Sequence, residues 1–139
     1  MTRYALTVLG PLRGKGRPRF VRATGRAYTP ETTLSAEQRI QAVAHAEGVK
    51  PLDGFVRVRV IGVGRIPPSW SKRKRVEALA AHYDARKPDA DNVLKLVMDA
   101  LNGIAWADDV QVTDARVERR LDEGGERLVI IIEPARETT

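Results

Sequence analysis

The chain has 139 residues, no cysteine, and 24 Lys and Arg against 18 Asp and Glu, a formal net charge of +6. That length fits one domain able to fold on its own core, and the lack of cysteine excludes a disulfide framework and a thiolate zinc site. The basic balance makes nucleic acid the leading partner class. No apolar run approaches the roughly 18–20 residues of a membrane span, and Met1–Leu6 carries no signal-peptide core before Gly10-Pro11, so a cytoplasmic protein is expected.

In chain order, Tyr4–Leu9 reads as a short strand stopped by Gly10-Pro11. Arg13 to Arg22 carries Arg13, Lys15, Arg17, Arg19 and Arg22 among glycines and a proline, which predicts a flexible basic loop, with a turn at Ala23–Arg26. Pro30-Glu31 opens a helix to about Glu47, since proline and acidic residues suit a first turn, and Leu34, Ile40, Val43 and Ala44 supply a thin stripe. Phe55–Ile61 alternates, with Val56, Val58 and Val60 on one face and Arg57 and Arg59 on the other, which predicts a strand. After Pro67-Pro68, Ser69 or Ser71 caps a second helix through about Ala81 that carries Lys72-Arg73-Lys74-Arg75 in its first turns.

A third helix is predicted from about Asp91. Leu94, Val97, Met98 and Leu101 follow the spacing of a buried stripe, and Asn102-Gly103 ends it. Two strands follow, about Val110–Arg120 and Leu128–Ile132, with a hairpin turn expected at Gly124-Gly125. The second is apolar on both faces and belongs at the centre of a sheet, and the residues from Pro134 onward read as a tail. The fold class expected is α/β (α+β): a single domain, with a mixed sheet of about four strands packed with helices.

Chemistry concentrates in Lys87-Pro88-Asp89-Ala90-Asp91-Asn92 and in Trp106-Ala107-Asp108-Asp109. An extended approach through Pro88 would turn Asp89 and Asp91 to one side, and Lys95 lies one helical turn beyond Asp91. A helix cap accounts for one aspartate and its dipole for a second, but neither accounts for a third. Two carboxylates about 5 Å apart at an effective dielectric near 20 repel by roughly 3 kcal/mol, so three need compensation by solvent, protonation or a cation. Hard oxygen ligands favour Mg²⁺, with Mn²⁺ as a possible substitute. His45 and His82 read as surface residues, and Trp70 and Trp106 as packing residues.

Residues Lys87 to Arg120 resemble the RusA family of Holliday-junction resolvases. The matching residues are Lys87–Asn92, Lys95, Asp99-Ala100-Leu101-Asn102-Gly103, Trp106, Asp108-Asp109 and Gln111-Val112. Gly14–Phe20 with Tyr28-Thr29-Pro30 resembles the opening of phage and prophage members. The resemblance implies a homodimeric, Mg²⁺-dependent crossover junction endodeoxyribonuclease that binds four-way DNA and cuts two opposing strands. It places the catalytic and metal-binding aspartates at Asp89, Asp91 and Asp109 and the functional lysine at Lys95. A shorter loop at Asn102–Ala105 than in some members leaves the choice between Asp108 and Asp109 open, and an opening unlike a Pro-Pro-Ser-Asn start leaves junction preference open. Lys15, Arg17, Arg19 and Arg22 are expected to grip DNA phosphates. Lys72 and Arg73 either do the same or belong to a solvated helix face. Two further readings stand beside the resolvase: a nuclease of broader taste for flaps or branched DNA, and a non-catalytic basic DNA-binding protein.

Overall fold

A computed structural model describes residues 2–15, 19–20, 27–28 and 31–135, the backbone alone for 19, 20, 27, 28, 31 and 32. Its elements in order are β1 (Tyr4–Leu9), β2 (Arg19–Phe20), β3 (Ala27–Tyr28), α1 (Glu31–Ala46), β4 (Val56–Arg65), α2 (Lys72–Ala81), α3 (Ala90–Leu101), a 3-10 turn (Asp109–Gln111), β5 (Val112–Asp122) and β6 (Arg127–Pro134). Four strands form one mixed sheet in the order β1-β6-β4-β5, with β5 parallel to β4 and the other pairs antiparallel. The α+β domain expected from the sequence is the one observed.

The order follows from strand chemistry. β4 and β6 bury Val56, Val58, Val60, Ile130 and Ile132 completely and take the two inner places. β5 carries Arg116, Glu118, Arg119 and Arg120 and takes an edge, where charged side chains also block pairing with a foreign strand. The hairpin expected at Gly124-Gly125 is therefore not formed: β4 lies between β5 and β6, and residues 123–126 step across its end. Asp122 holds this connection by accepting from Gly124 N at 2.8 Å and from Arg127 at 2.6 Å.

α1 and α3 pack on one face of the sheet and against each other. α1 buries Thr33, Ala36, Ile40 and Ala44, whereas Leu34, expected in its stripe, is exposed. α3 buries Val93, Leu96, Val97, Ala100 and Leu101. The stripe predicted through Leu94 and Met98 is thus rotated, and these two are only half-buried. β4 runs beyond the predicted Ile61, through Gly62 and Gly64, to Arg65. The segment expected to be a flexible loop contains an antiparallel ribbon, Arg19 opposite Tyr28 and Phe20 opposite Ala27. The turn expected at 23–26 and the end of the tail, 136–139, lie outside the described residues. Among those described, no helix is long and apolar enough to cross a membrane.

Candidate active site and nucleic-acid interface

α3 begins one residue earlier than predicted, because Asp89 rather than Asp91 is its cap. Asp89 has extended backbone, and its Oδ1 accepts from Asn92 N at 3.1 Å. Asp91 stands in the first turn, where the positive end of the helix dipole favours a carboxylate. One turn on, Lys95 pairs with it at 3.1 Å, as the spacing predicted. Both side chains of that pair are largely exposed and face solvent.

The second acidic pair divides its labour. Asp108 caps the 3-10 turn: its carboxylate accepts from Val110 N at 3.1 Å, while Gln111 Oε1 accepts from Asp108 N at 3.1 Å. Asp109 instead accepts from Trp106 Nε1 at 2.7 Å. Trp106 is fully buried, so the packing role expected of it is met, and its indole also orients the carboxylate next to it. Its ring nitrogen has no other partner among the described residues, so Asp109 satisfies a buried donor.

Asp89 and Asp91 do not meet Asp109 within one chain. Asp89 opens α3, and the carbonyl of Trp106, just past the other end of α3, accepts from Gly103 N. The 12 residues of α3 span about 18 Å at 1.5 Å per residue. β5 gives a second ruler. Asp109 lies just before Val112, whereas Arg119 donates to Pro88 O; seven residues of strand separate Val112 from Arg119, about 23 Å. The convergence expected of the three aspartates is therefore absent from the single chain. Among the described residues, no group of three Asp, Glu or His stands close enough to hold a metal ion. Each carboxylate still keeps one oxygen without a hydrogen bond among the described residues, since Asp89 uses Oδ1, Asp91 Oδ2 and Asp109 Oδ1. In chemistry they fit a hard divalent cation; in place, one chain alone does not.

A groove of about 660 Å³ opens beside Asp89 and is lined by Arg13, Lys15, Lys87 and Asn92. A second cleft of about 200 Å³ shares Arg13, Lys87 and Pro88 with it and runs on to Arg65 and Arg86. Arg13, Arg65 and Lys87 are exposed and form no ion pair among the described residues. None of the three was singled out from the sequence as a DNA contact. The signal was present for Lys87, which adjoins Pro88-Asp89, and for Arg13, which opens the basic run. Gly14 lets the chain pass here: a Cβ on it would stand 2.9 Å from both Pro88 Cβ and Asn92 Cβ. Lys15 N then donates to Asn92 O at 3.0 Å, pinning the start of the basic segment to α3.

Lys15, expected to grip phosphate, is instead already paired. Its Nζ lies 2.7 Å from Glu37 and 3.0 Å from Asp99, which ties α1 to α3. Burial works to lower its pKa, but the bonds to Glu37 and Asp99 outweigh it and hold the ammonium above its ordinary value. Arg17 and Arg22 lie outside the described residues, as does the side chain of Arg19. Ser71, not Ser69, caps α2, which buries no residue. Its first turn holds Lys72, Arg73 and Lys74 and no acid, although cations are disfavoured at that end of a helix dipole. Arg73 is 91% exposed and pairs with Glu77, while Lys74 and Arg86 stand over the Trp70 ring at 4.3 and 5.1 Å. His45 and His82 are exposed.

An α+β domain whose helix N-terminus sets an aspartate in a cationic groove has the make-up of an enzyme that works on a polyanionic chain. The chain belongs to the RusA endodeoxyribonuclease family, since residues 10–133 match the family described as Endodeoxyribonuclease RusA. It is also similar to the uncharacterized protein YqaN of Bacillus subtilis (strain 168), with 31% identity over 123 residues covering 84% of this chain and 87% of the relative. The family comprises Holliday-junction-resolving endonucleases that act on branched DNA, and these are generally divalent-metal dependent. Membership makes this chain an endodeoxyribonuclease, a hydrolase.

Proposed function

We propose that the chain is a Mg²⁺-dependent, homodimeric crossover junction endonuclease that resolves four-way DNA in the cytoplasm by paired symmetric nicks, in recombination and repair. The observation that carries this reading is the groove that Asp89 lines together with Arg13 and Lys87, two cations with no acidic partner among the described residues. Phosphates of one DNA strand would lie on Arg13, Lys87 and Arg65. Their contact would be largely independent of sequence and sensitive to salt, as phosphate contacts are.

Because Asp89 and Asp109 stand at opposite ends of α3 in one chain, the complete acidic set is proposed to form between two chains. Asp89 and Asp91 of one protomer would share an ion with Asp109 of the partner subunit. A two-fold axis then yields two equal sites, as two opposed nicks require. The Asp109 end offers a seat for a partner: Phe55 and Val110 are 60% and 78% exposed there. Gln111 bonds to Leu52 O and Gly54 O, holding the two segments side by side.

Asp89 and Asp91, with Asp109 of the partner subunit, would hold a divalent ion, which when bound would supply polarisation of the phosphodiester and a lowered pKa for a water. The protein's own groups do the rest. Trp106 fixes the orientation of Asp109. Lys95, held one turn from the cap by Asp91, stabilises charge that grows on the phosphate. Hydrolysis would leave a 3′-hydroxyl and a 5′-phosphate. The test is cleavage of a four-way junction, a flap and a linear duplex with Mg²⁺ and with chelator, beside the Asp91→Asn protein. Selective Mg²⁺-dependent cutting of the junction, lost in the variant, supports the reading. Equal cutting of flaps favours the broader nuclease, and binding without cutting favours a non-catalytic protein.

A further inference from the structure

Behind the groove lies a buried pair of charges that the reaction does not use. Arg119, on β5, and Asp84, between α2 and α3, have side chains 6% and 3% exposed, with Nη2 3.1 Å from Oδ2. The same guanidinium donates from Nη1 to Gly62 O at 2.6 Å and from Nε to Pro88 O at 2.9 Å. Asp84 also accepts from Arg86 Nε at 2.9 Å and Arg86 N at 3.0 Å, and Arg86 Nη2 donates to Arg65 O at 2.8 Å. The backbone is joined as well: Asp84 N donates to Arg119 O, and Leu121 N to His82 O.

β4 is shaped around this pair. A Cβ on Gly62 would stand 3.3 Å from Arg119 Cδ, and a Cβ on Gly64 would collide with the Asp84 carboxylate. Two glycines weaken a strand interior and mark a close approach; here the approach is that of the two charges.

Such a pair adds little stability over an apolar pair of similar volume, because both ions lose their water. What it adds is direction. One planar group fixes three points: Gly62 in the sheet, Asp84, and the Pro88 carbonyl one residue before Asp89. Lysine, with all its donors on one flexible nitrogen, cannot span them.

We propose that Arg119, with Asp84, is a positioning residue for DNA cleavage. It ties the Lys87–Asp89 rim of the groove to the sheet, so that the Asp89 carboxylate and the Lys87 ammonium hold their places against the bound strand. The proposal rests on the reading of Asp89 as part of the cutting site.

The experiment compares the full-length wild type with Arg119→Lys, the paired replacement Asp84→Leu/Arg119→Met, and Asp89→Asn. For each, thermal melting, junction Kd and the single-turnover cutting rate are measured. The paired replacement is expected to fold and to melt below the wild type by no more than the loss of the bonds to Gly62 O and Pro88 O, since an apolar pair of similar size replaces the ions. The exposed groove cations remain, so Kd should stay within about 3-fold while cutting falls by about 10²-fold, the scale of a misplacement near 1 Å. Arg119→Lys keeps a charge opposite Asp84 but loses the span, and should also lower the cutting rate without changing Kd. A folded paired variant that cuts within about 3-fold of wild type overturns the proposal; should that variant fail to fold, Arg119→Lys cutting at the wild-type rate overturns it. Asp89→Asn reports separately on the underlying reading: if it cuts normally, Asp89 is not in the site and the proposal falls with it. If only Asp89→Asn is dead, the site stands and the positioning role alone is refuted.

Discussion

The two neighbouring aspartates after Trp106 should separate cleanly. Asp108→Ala removes the acceptor for Val110 N and half of the capping box, a loss of about 1 kcal/mol. In a chain of this size that lowers Tm by about 3–5 °C. Gln111 keeps its bonds to Leu52 O and Gly54 O, so the 3-10 turn stays in place. Asp109→Asn leaves an oxygen to accept from Trp106 Nε1 and loses only the charge on that bond, also about 1 kcal/mol. Melting alone therefore cannot tell the variants apart, and it serves as the control. Cutting of a four-way junction in Mg²⁺ can. Asp108→Ala should cut within about 3-fold of wild type, while Asp109→Asn loses at least about 10²-fold, the worth of several kcal/mol of charge stabilisation. A dead Asp108→Ala beside an active Asp109→Asn would refute the assignment of Asp109 to the site and of Asp108 to the cap.

Removing Arg13 or Lys87, which have no ion pair among the described residues, should each reduce the salt slope of junction binding by about one unit. Lys15→Met should change it far less, because Glu37 and Asp99 already hold that ammonium; equal slopes for all three would contradict this. Lys15's raised pKa makes its stabilising contribution complete below the ordinary lysine range and lost as pH rises through the higher folded value. The loss of stability of the wild type above about pH 10.4 should accordingly shrink in Lys15→Met, as read by denaturant melts. Asp84 behaves in the opposite sense. Burial tends to raise its pKa, but Arg86 and Arg119 outweigh that and hold it below the usual carboxylate range. Its contribution is present above about pH 4 and is lost as pH falls through the lower folded value, so urea melts at pH 5 and pH 3 should differ less in Asp84→Leu/Arg119→Met than in wild type. Gly64→Ala drives a methyl into the Asp84 carboxylate and should cost about 1–3 kcal/mol, whereas a melt unchanged from wild type would show that the strand can give way there.

Much of the fold was legible because period and punctuation agree. The valines of β4 alternate, Ser71 stands where a cap is needed, and β6 is apolar enough to demand an inner place. What was not legible depends on partners distant in the chain. Gly124-Gly125 carries the local chemistry of a hairpin, but the choice between pairing β5 with β6 and inserting β4 between them is made by burial of whole strands. β4 runs through Gly62 and Gly64 because Arg119 and Asp84 fill the space above them, a reason located 20 or more residues away. α3 turns its Leu94 and Met98 flank partly outward because Val93, Leu96 and Ala100 fit the sheet more closely. In the site, Asp91–Lys95 follows from helical spacing, whereas the distance from Asp89 to Asp109 is set by the length of α3, which three short motifs in a row do not display. Lys15 shows the limit of reading charge alone: a cation on a Gly-rich segment looks free until the two acids facing it, on α1 and α3, are placed.

In the proposed dimer, a working acidic set takes Asp89 from one chain and Asp109 from the partner subunit. Mixing two inactive proteins, Asp89→Asn and Asp109→Asn, tests it most directly. After subunits exchange, each mixed dimer holds one site with both substitutions and one with neither, so nicking of a single junction strand should return although neither protein cuts alone. If the mixed dimers form and remain as inactive as their parents, each site draws its carboxylates from one chain, and the shared arrangement is wrong.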